Sequence, residues 1–411
     1  MNQWINLDQL VSWKEITRTG KVDLTEAMSG EAGLKRVRQY LVPMAAGLTY
    51  SFAAKQVDDT ILKGLCELAQ EAQLATKFEE LYNGAVINTG EKRLVLHHLT
   101  RGQLGNPVIA DGKDKRAFYT EQQQKIADFA NKVHAGEILN EKGEKFTTVV
   151  QIGIGGSDLG PRAMYLALEN WARKNGSFRM EAKFISNVDP DDAAAVLGSI
   201  DPSRTIFILV SKSGTTLETL TNEAFVKDAL KNAGLEASRH MIAVTSETSP
   251  LAGNSDYLAA FFMDDYIGGR YSSTSSVGGA VLSLAFGPET FARFLNGAAE
   301  EDKLSAQDDP MKNAAMLDAL IGVYERNALG NASLFGNVNA AARDAFVGVF
   351  NAFVDEIAVN GFKRRVEIAV IFDLDRVFEH RHYRCDIAYA FGGASDLDLR
   401  PEHIIYPFRI S

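Results

Sequence analysis

The stretch VVQIGIGGSDLGP, residues 149–161, is an apolar run that turns through glycines into a helix opened by Pro161. Apolar residues at consecutive rather than alternate positions suit a strand covered on both faces, as in a parallel sheet. Further short apolar runs follow, KFISN at 183–187, TIFILV at 205–210 and MIAVTS at 241–246, with enough chain between them for a helix each. Parallel strands need such crossovers, so the alternation predicts a doubly wound parallel α/β sheet. In these sheets ligands bind beyond the carboxyl ends of the strands, which singles out the loops GGSDLGP and SKSGTT.

In GGSDLGP the glycines let the backbone turn tightly, and the helix that follows offers free amides and a positive dipole end to an anion. A ligand-free strand-to-helix turn would use the same residues. A dinucleotide fingerprint would need glycines at 153, 155 and 158, but Asp158 stands at the third position, and no Gly-Lys-Ser/Thr phosphate loop occurs. The second loop crowds Ser211, Lys212, Ser213, Gly214, Thr215 and Thr216 into a helix start, with Leu217, Leu220 and Ala224 on one helical face. Four hydroxyls, backbone amides and an ammonium read as a phosphate cradle, whereas a Ser/Thr helix cap accounts for one hydroxyl. Glu218 also suits the positive end of that helix. A third segment, GGRYSSTSSVGGAVLSLAFG at 268–287, sets Arg270 behind two glycines. Its guanidinium can stabilise developing negative charge, or cap carbonyls structurally, but its high pKa prevents it from acting as a base.

The 411 residues carry 53 acidic and 43 basic side chains, a net charge of -10, which disfavours an extended nucleic-acid surface. Two cysteines, Cys66 and Cys385, cannot make a disulfide framework and fit a reducing compartment, the cytoplasm by default. No apolar run approaches the roughly 18 residues of a spanning helix, and the start lacks a leader pattern, so neither membrane nor export is expected. Helical periodicity marks FYTEQQQKIADFANKVHAG, closed by Gly136, and PMKNAAMLDALIGVYERNALG, with Pro310 in its first turn and Gly330 as its stop.

Taken together, IGIGGSDLGP (152–161), SKSGTTLET (211–219) and GGRYSSTSSVG (268–278) resemble, in this order, signature segments of the phosphoglucose isomerase family. The likeness covers about residues 30–330 and takes in NTGEKRLVLHHLTRG at 88–102. It implies a sugar isomerase domain over 116–287, a helical segment 1–115 and helices 288–330 of a larger domain, and a divergent segment 331–411 as an incomplete second α/β domain. It also implies interconversion of glucose 6-phosphate and fructose 6-phosphate through a cis-enediol, with no metal, no nucleotide and no other cofactor. Gly156 and Ser157 would approach the substrate; Ser211, Lys212, Ser213, Thr215 and Thr216 would hold its phosphate; Arg270 would stabilise the enediolate. A homodimer acting on a small sugar phosphate follows from the same likeness.

After NALG, residues 327–330, the family pattern stops. The family's Met-Glu-Ser-Asn-Gly-Lys run with its proton-abstracting Glu, and its Gly-Thr-Asn-x-Gln-His run, are not found, and DEIAVNGFK around Glu356 and Asn360 is too loose an echo. Composition changes there too: residues 1–330 hold 20 Lys and 14 Arg, against one Lys and eight Arg in the last 81 residues. A new domain or an out-of-frame segment would both explain the change. FEHRHYRC brings Glu379, His380, His382 and Cys385 together, but the spacing matches no structural zinc site. VEIAVIFDL at 366–374 reads as a strand and HIIYPFRI at 403–410 as an edge strand. Two functions stay open, an isomerase and a sugar-phosphate binding module or truncated homologue without turnover. The missing acid/base groups predict little turnover by the isolated chain.

Overall fold

In the computed structural model, residues 5–88, 90–338, 366–372 and 408–409 are described. The chain divides into two compact units, Ala75–Ala306 and, discontinuously, Met1–Leu74 with Gln307–Ser411.

The continuous unit is built on five parallel strands, β1 (Thr148–Ile152), β2 (Glu181–Ile185), β3 (Thr205–Val210), β4 (Met241–Ser246) and β5 (Ala259–Met263), in the order β2-β1-β3-β4-β5. Its helices include α1 (Lys115–Ala135), α2 (Leu159–Lys174), α3 (Pro190–Gly198), α4 (Leu217–Asn232), α5 (Ser276–Phe286) and α6 (Pro288–Ser305). Every residue of β1 and β3 is buried, as the unbroken apolar runs require. Alternate side chains part to the two faces. Val149, Ile206, Ile208, Ile242 and Val244 join α1, α2 and α5 in one core, while Val150, Ile152, Phe207, Leu209, Met241 and Ala243 join α3 and α4 in the other. Each such Val, Leu or Ile contributes about 1.5–3 kcal/mol on burial. The expected doubly wound α/β fold is therefore present.

Several local expectations need adjustment. The sheet unit is wider than 116–287, because Phe291 and Leu295 of α6 pack into the first core. Helix α2 begins at Leu159, so Pro161 lies inside the first turn, where a missing N–H breaks no helical bond. Pro310 opens a separate 3-10 turn, Pro310–Lys312, and the helix proper, Ala314–Asn327, starts behind Asn313, whose side chain accepts from the Met316 amide. On α4 the buried face is Thr219, Asn222, Glu223, Val226 and Leu230, whereas Leu217 is 74% exposed. Burial of Glu223 is tolerated because Tyr257 donates to its carboxylate at 2.5 Å and Lys227 sits at 2.7 Å. Gly136 does close α1, at φ 83, its amide donating to the Lys132 and Val133 carbonyls.

The discontinuous unit has a core drawn from both ends of the chain. Trp13, Ile16, Phe52, Ile61, Leu65 and Leu68 pack with Leu317, Leu320, Ile321 and Tyr324. Buried Arg36 donates to the carbonyls of Ala53, Lys55 and Val57 at 2.7–2.9 Å, which ties the 53–57 loop. Further on, Ala332–Val338, where no strand was expected, pairs in parallel with Val366–Phe372, and Phe408–Arg409 pairs antiparallel at the edge; the latter two lie within the runs expected to form strands. Glu356, Asn360, Glu379, His380, His382 and Cys385 lie outside the described residues. Among the described residues, no helix is long and apolar enough to cross a membrane.

Candidate functional site

The chain leaves β1 for its outer neighbour β2 and then returns past β1 to β3, so the connections diverge between β1 and β3. Such a switch point opens a crevice beyond the strand ends. Ile152 and Leu209 are register partners there, which sets the loops 153–157 and 211–216 side by side.

After β1, Gly155–Ser157 forms a tight 3-10 turn that starts at φ 58 on Gly155. Buried Gln151 donates from Nε2 to the Ser157 carbonyl at 2.7 Å and holds the turn from beneath. After β3, the Ser211 amide continues the sheet to the Val244 carbonyl at 3.1 Å, and the Gly214 amide donates to Ser211 Oγ at 3.2 Å. Gly214 has φ 67, and a Cβ there would overlap Ser249 Oγ. Ser211 Oγ lies 3.4 Å from Thr216 Oγ1, and Thr215 Oγ1 lies 3.0 Å from Ser213 Oγ. Ser211 is buried, while Ser213, Thr215 and Thr216 are exposed. Thr216 is the N-cap residue of α4 without capping it, and Asp158 is likewise idle as a cap on α2. By contrast Asp114, Asp189 and Ser275 cap α1, α3 and α5 with their side chains. Among the described residues, no side chain accepts from the first-turn amides of the two helices that start at the switch point.

The 268–274 segment closes against the first loop. A Cβ on Gly156 would overlap the Gly269 carbonyl and stand 2.6 Å from the Arg270 nitrogen, so only glycine permits this approach. Ser272 Oγ donates to the Gly269 carbonyl at 2.7 Å and reaches the Gly156 carbonyl at 3.3 Å. Arg270 itself is exposed. Arg101 anchors the segment, forked onto Asp302 at 2.7 and 2.8 Å with a further bond to Thr274 Oγ1 at 3.2 Å. The structure therefore joins Gly156 to the Arg270 backbone, Ser211 to Thr216 and Ser213 to Thr215. No hydrogen bond among the described residues links the 211–216 hydroxyls to Gly155 or Gly156, and the Lys212 ammonium is held by Asp265 at 3.3 Å.

Charge around the crevice is tuned mainly by burial. Burial pushes the Asp158 carboxyl up, opposed by Arg162, which donates to it at 2.9 Å and also to Ser186. His97 donates from Nε2 to the Gly268 carbonyl at 2.9 Å and meets Tyr271 edge-on at 6.1 Å. Burial holds its pKa below the usual imidazole value, opposed by the Gly268 bond and reinforced by Arg101 and Lys212. Neither His97 nor Asp265 stands in a chemical motif; His97 lies in the 88–102 segment, whose only sequence signal is the family likeness. Among the described residues no cluster of three His, Cys, Asp or Glu side chains is arranged to hold a metal ion.

A doubly wound sheet with a hydroxyl-rich loop, a glycine turn and uncapped helix starts at its switch point has the architecture of the open α/β proteins that take anionic ligands beyond their strand ends. The sequence model of the family described as Phosphoglucose isomerase matches residues 51–354, most of the chain and past Gly330. The chain belongs to the phosphoglucose isomerase family. It is 56% identical over 333 residues to the glucose-6-phosphate isomerase of Treponema denticola, covering 80% of this chain and 63% of that protein. It is 42% identical over 337 residues to that of Borreliella afzelii, covering 81% and 63%. A crystal structure of a glucose-6-phosphate isomerase from Chlamydia trachomatis aligns with a TM-score of 0.70 at 37% identity, over 80% of this chain and 62% of that one. The chain thus spans less than two thirds of the length of these relatives.

Proposed function

We propose that the chain binds a sugar phosphate at the switch point and serves the interconversion of glucose 6-phosphate and fructose 6-phosphate. The observation that carries this reading is the pair of helix starts left without side-chain caps beside a loop of exposed hydroxyls. Ser211, Ser213, Thr215 and Thr216 hold the phosphate together with the α4 amides, and Lys212 exchanges Asp265 for it. Each bond to a charged oxygen contributes about 1.5–3 kcal/mol. Gly156 and Ser157 border the sugar. Arg270 stabilises the enediolate as charge develops, and it supplies charge rather than proton transfer. The family places each site near both subunits of a homodimer, and we extend that assembly, and a cytoplasmic location, to this protein.

A second reading, binding without turnover, is favoured by one observation: the family's Met-Glu-Ser-Asn-Gly-Lys run is absent from the sequence. Acid/base groups are worth about 10² to 10⁴-fold each. A coupled assay with fructose 6-phosphate, run beside calorimetry on the same protein, separates the two. Turnover of roughly 10 s⁻¹ or more supports the isomerase. Binding with negligible turnover supports the second reading, and no binding at all rejects the phosphate site.

A further inference from the structure

Three loops meet around one histidine. His97 belongs to the 3-10 turn His97–Thr100, ahead of the sheet, yet its ring lies against the third loop: a Cβ built on Gly268 would stand 3.5 Å from both Cε1 and Nε2. The same third loop packs on Gly156 of the first. Lys212 of the second is near enough to act electrostatically on the ring. The carbonyl of Gly268 can only accept, so the 2.9 Å bond fixes the proton of His97 on Nε2. Nδ1 then carries a lone pair, and no donor among the described residues reaches it. The turn that bears His97 is held in place independently: Thr100 Oγ1 bonds the His97 carbonyl at 2.6 Å and Thr274 Oγ1 at 2.8 Å, and Leu96 donates its amide to the Tyr266 carbonyl at 3.0 Å. An imidazole fixed in one tautomer beside a glycine pair is a built acceptor.

We propose that His97 accepts a hydrogen bond from a hydroxyl of the bound sugar through Nδ1, and so reads the sugar rather than the phosphate. This rests on the sugar-phosphate reading above. Burial opposes protonation, as do the cations near the ring, Arg101 just beyond it in the chain and Lys212 from the second loop; the Tyr271 ring of the third loop lies perpendicular to it. The imidazole accordingly stays neutral and able to accept at neutral pH.

The test compares fructose 6-phosphate with inorganic phosphate by calorimetry on the full chain and on His97→Gln. The glutamine keeps a donor for Gly268 and exchanges Nδ1 for an amide oxygen that does not sit at the same point of the site. Loss of one such bond weakens fructose 6-phosphate binding by about five- to tenfold while inorganic phosphate stays within about twofold. As pH drops from about 7 to about 5, the ratio of the two affinities falls further in the wild type than in the variant; the variant's own change reports the different second ionisations of the two phosphates, and the excess in the wild type reports His97. Equal losses for both ligands, or an unchanged sugar-phosphate affinity, overturn the role of His97 alone. A wild-type protein that binds neither ligand overturns the phosphate site and this inference with it.

Discussion

His97 and His98 are adjacent in sequence, the first half-buried and the second fully buried. His98 is 4% exposed, donates from Nε2 to the Tyr82 carbonyl at 3.0 Å and packs on the Tyr82 ring at 4.1 Å. Burial, the largest cause, pushes its pKa down to about 4. Because the folded value lies below the unfolded one of about 6.5, the folded state is fully favoured above pH ~6.5 and loses stability as pH falls from there towards 4. That loss reaches at most about 3 kcal/mol. Urea unfolding across this pH range should show a shallower slope for His98→Gln than for the wild type; parallel slopes would mean that His98 does not titrate this way. A second pair of residues separates binding from catalysis. Thr216→Ala should weaken fructose 6-phosphate affinity, whereas Arg270→Ala should spare it and lower whatever turnover the chain shows, since the negative charge is absent from the bound sugar and develops on the way to the enediolate. Equal losses of affinity would remove the catalytic role from Arg270. The hydroxyls of 211–216 were legible because they cluster within six residues. His97 was not, since its partner Gly268 is 171 positions away and no short-range pattern encodes that meeting.

At the scale of elements, the strands were the most readable part. Continuous apolar runs report burial on both faces, and β1 and β3 are buried at every position. Helix α4 misled because its amphipathic order is inverted: Asn222 and Glu223 are inside, bonded to the Asn187 carbonyl and to Tyr257, while Leu217 faces out. Partners from elsewhere in the fold decide such a face, and periodicity has no access to them. The glycine contact between the first and third loops yields a sharper expectation. Gly156→Ala forces backbone against backbone and should cost about 1–3 kcal/mol, lower the melting temperature and weaken sugar-phosphate binding. Gly297→Ala, mid-helix in α6 with nothing within 4 Å of the new methyl, should be neutral or stabilising by up to about 1 kcal/mol. Similar melting temperatures for both variants would contradict the close approach at Gly156.

For the molecule as a whole, the continuous stretch Ala75–Ala306 contains both layers of core around its sheet. Expressed alone, it should unfold in one cooperative thermal transition and keep affinity for fructose 6-phosphate; a gradual, non-cooperative melt would show that it depends on the rest of the chain. The sequence exposed the change of composition after Gly330 but gave no means of seeing that residues 10–69 and 314–324 share a core, because long-range pairing of two helical segments leaves no local mark.

That shared core has a consequence in time. On the ribosome the first 74 residues emerge without Leu317, Ile321 and Tyr324, which complete their interior. At about 5–20 residues per second the ribosome needs roughly 10–50 s to deliver those partners. Throughout that interval the sheet unit can assemble as it is made, while the core of residues 10–69 lacks the cover that Leu317, Leu320, Ile321 and Tyr324 give it. Among the described residues, this nascent segment waits longest for its partners and is exposed to chaperone and protease meanwhile, although in the finished fold Ile16, Phe52 and Leu65 are among the best buried.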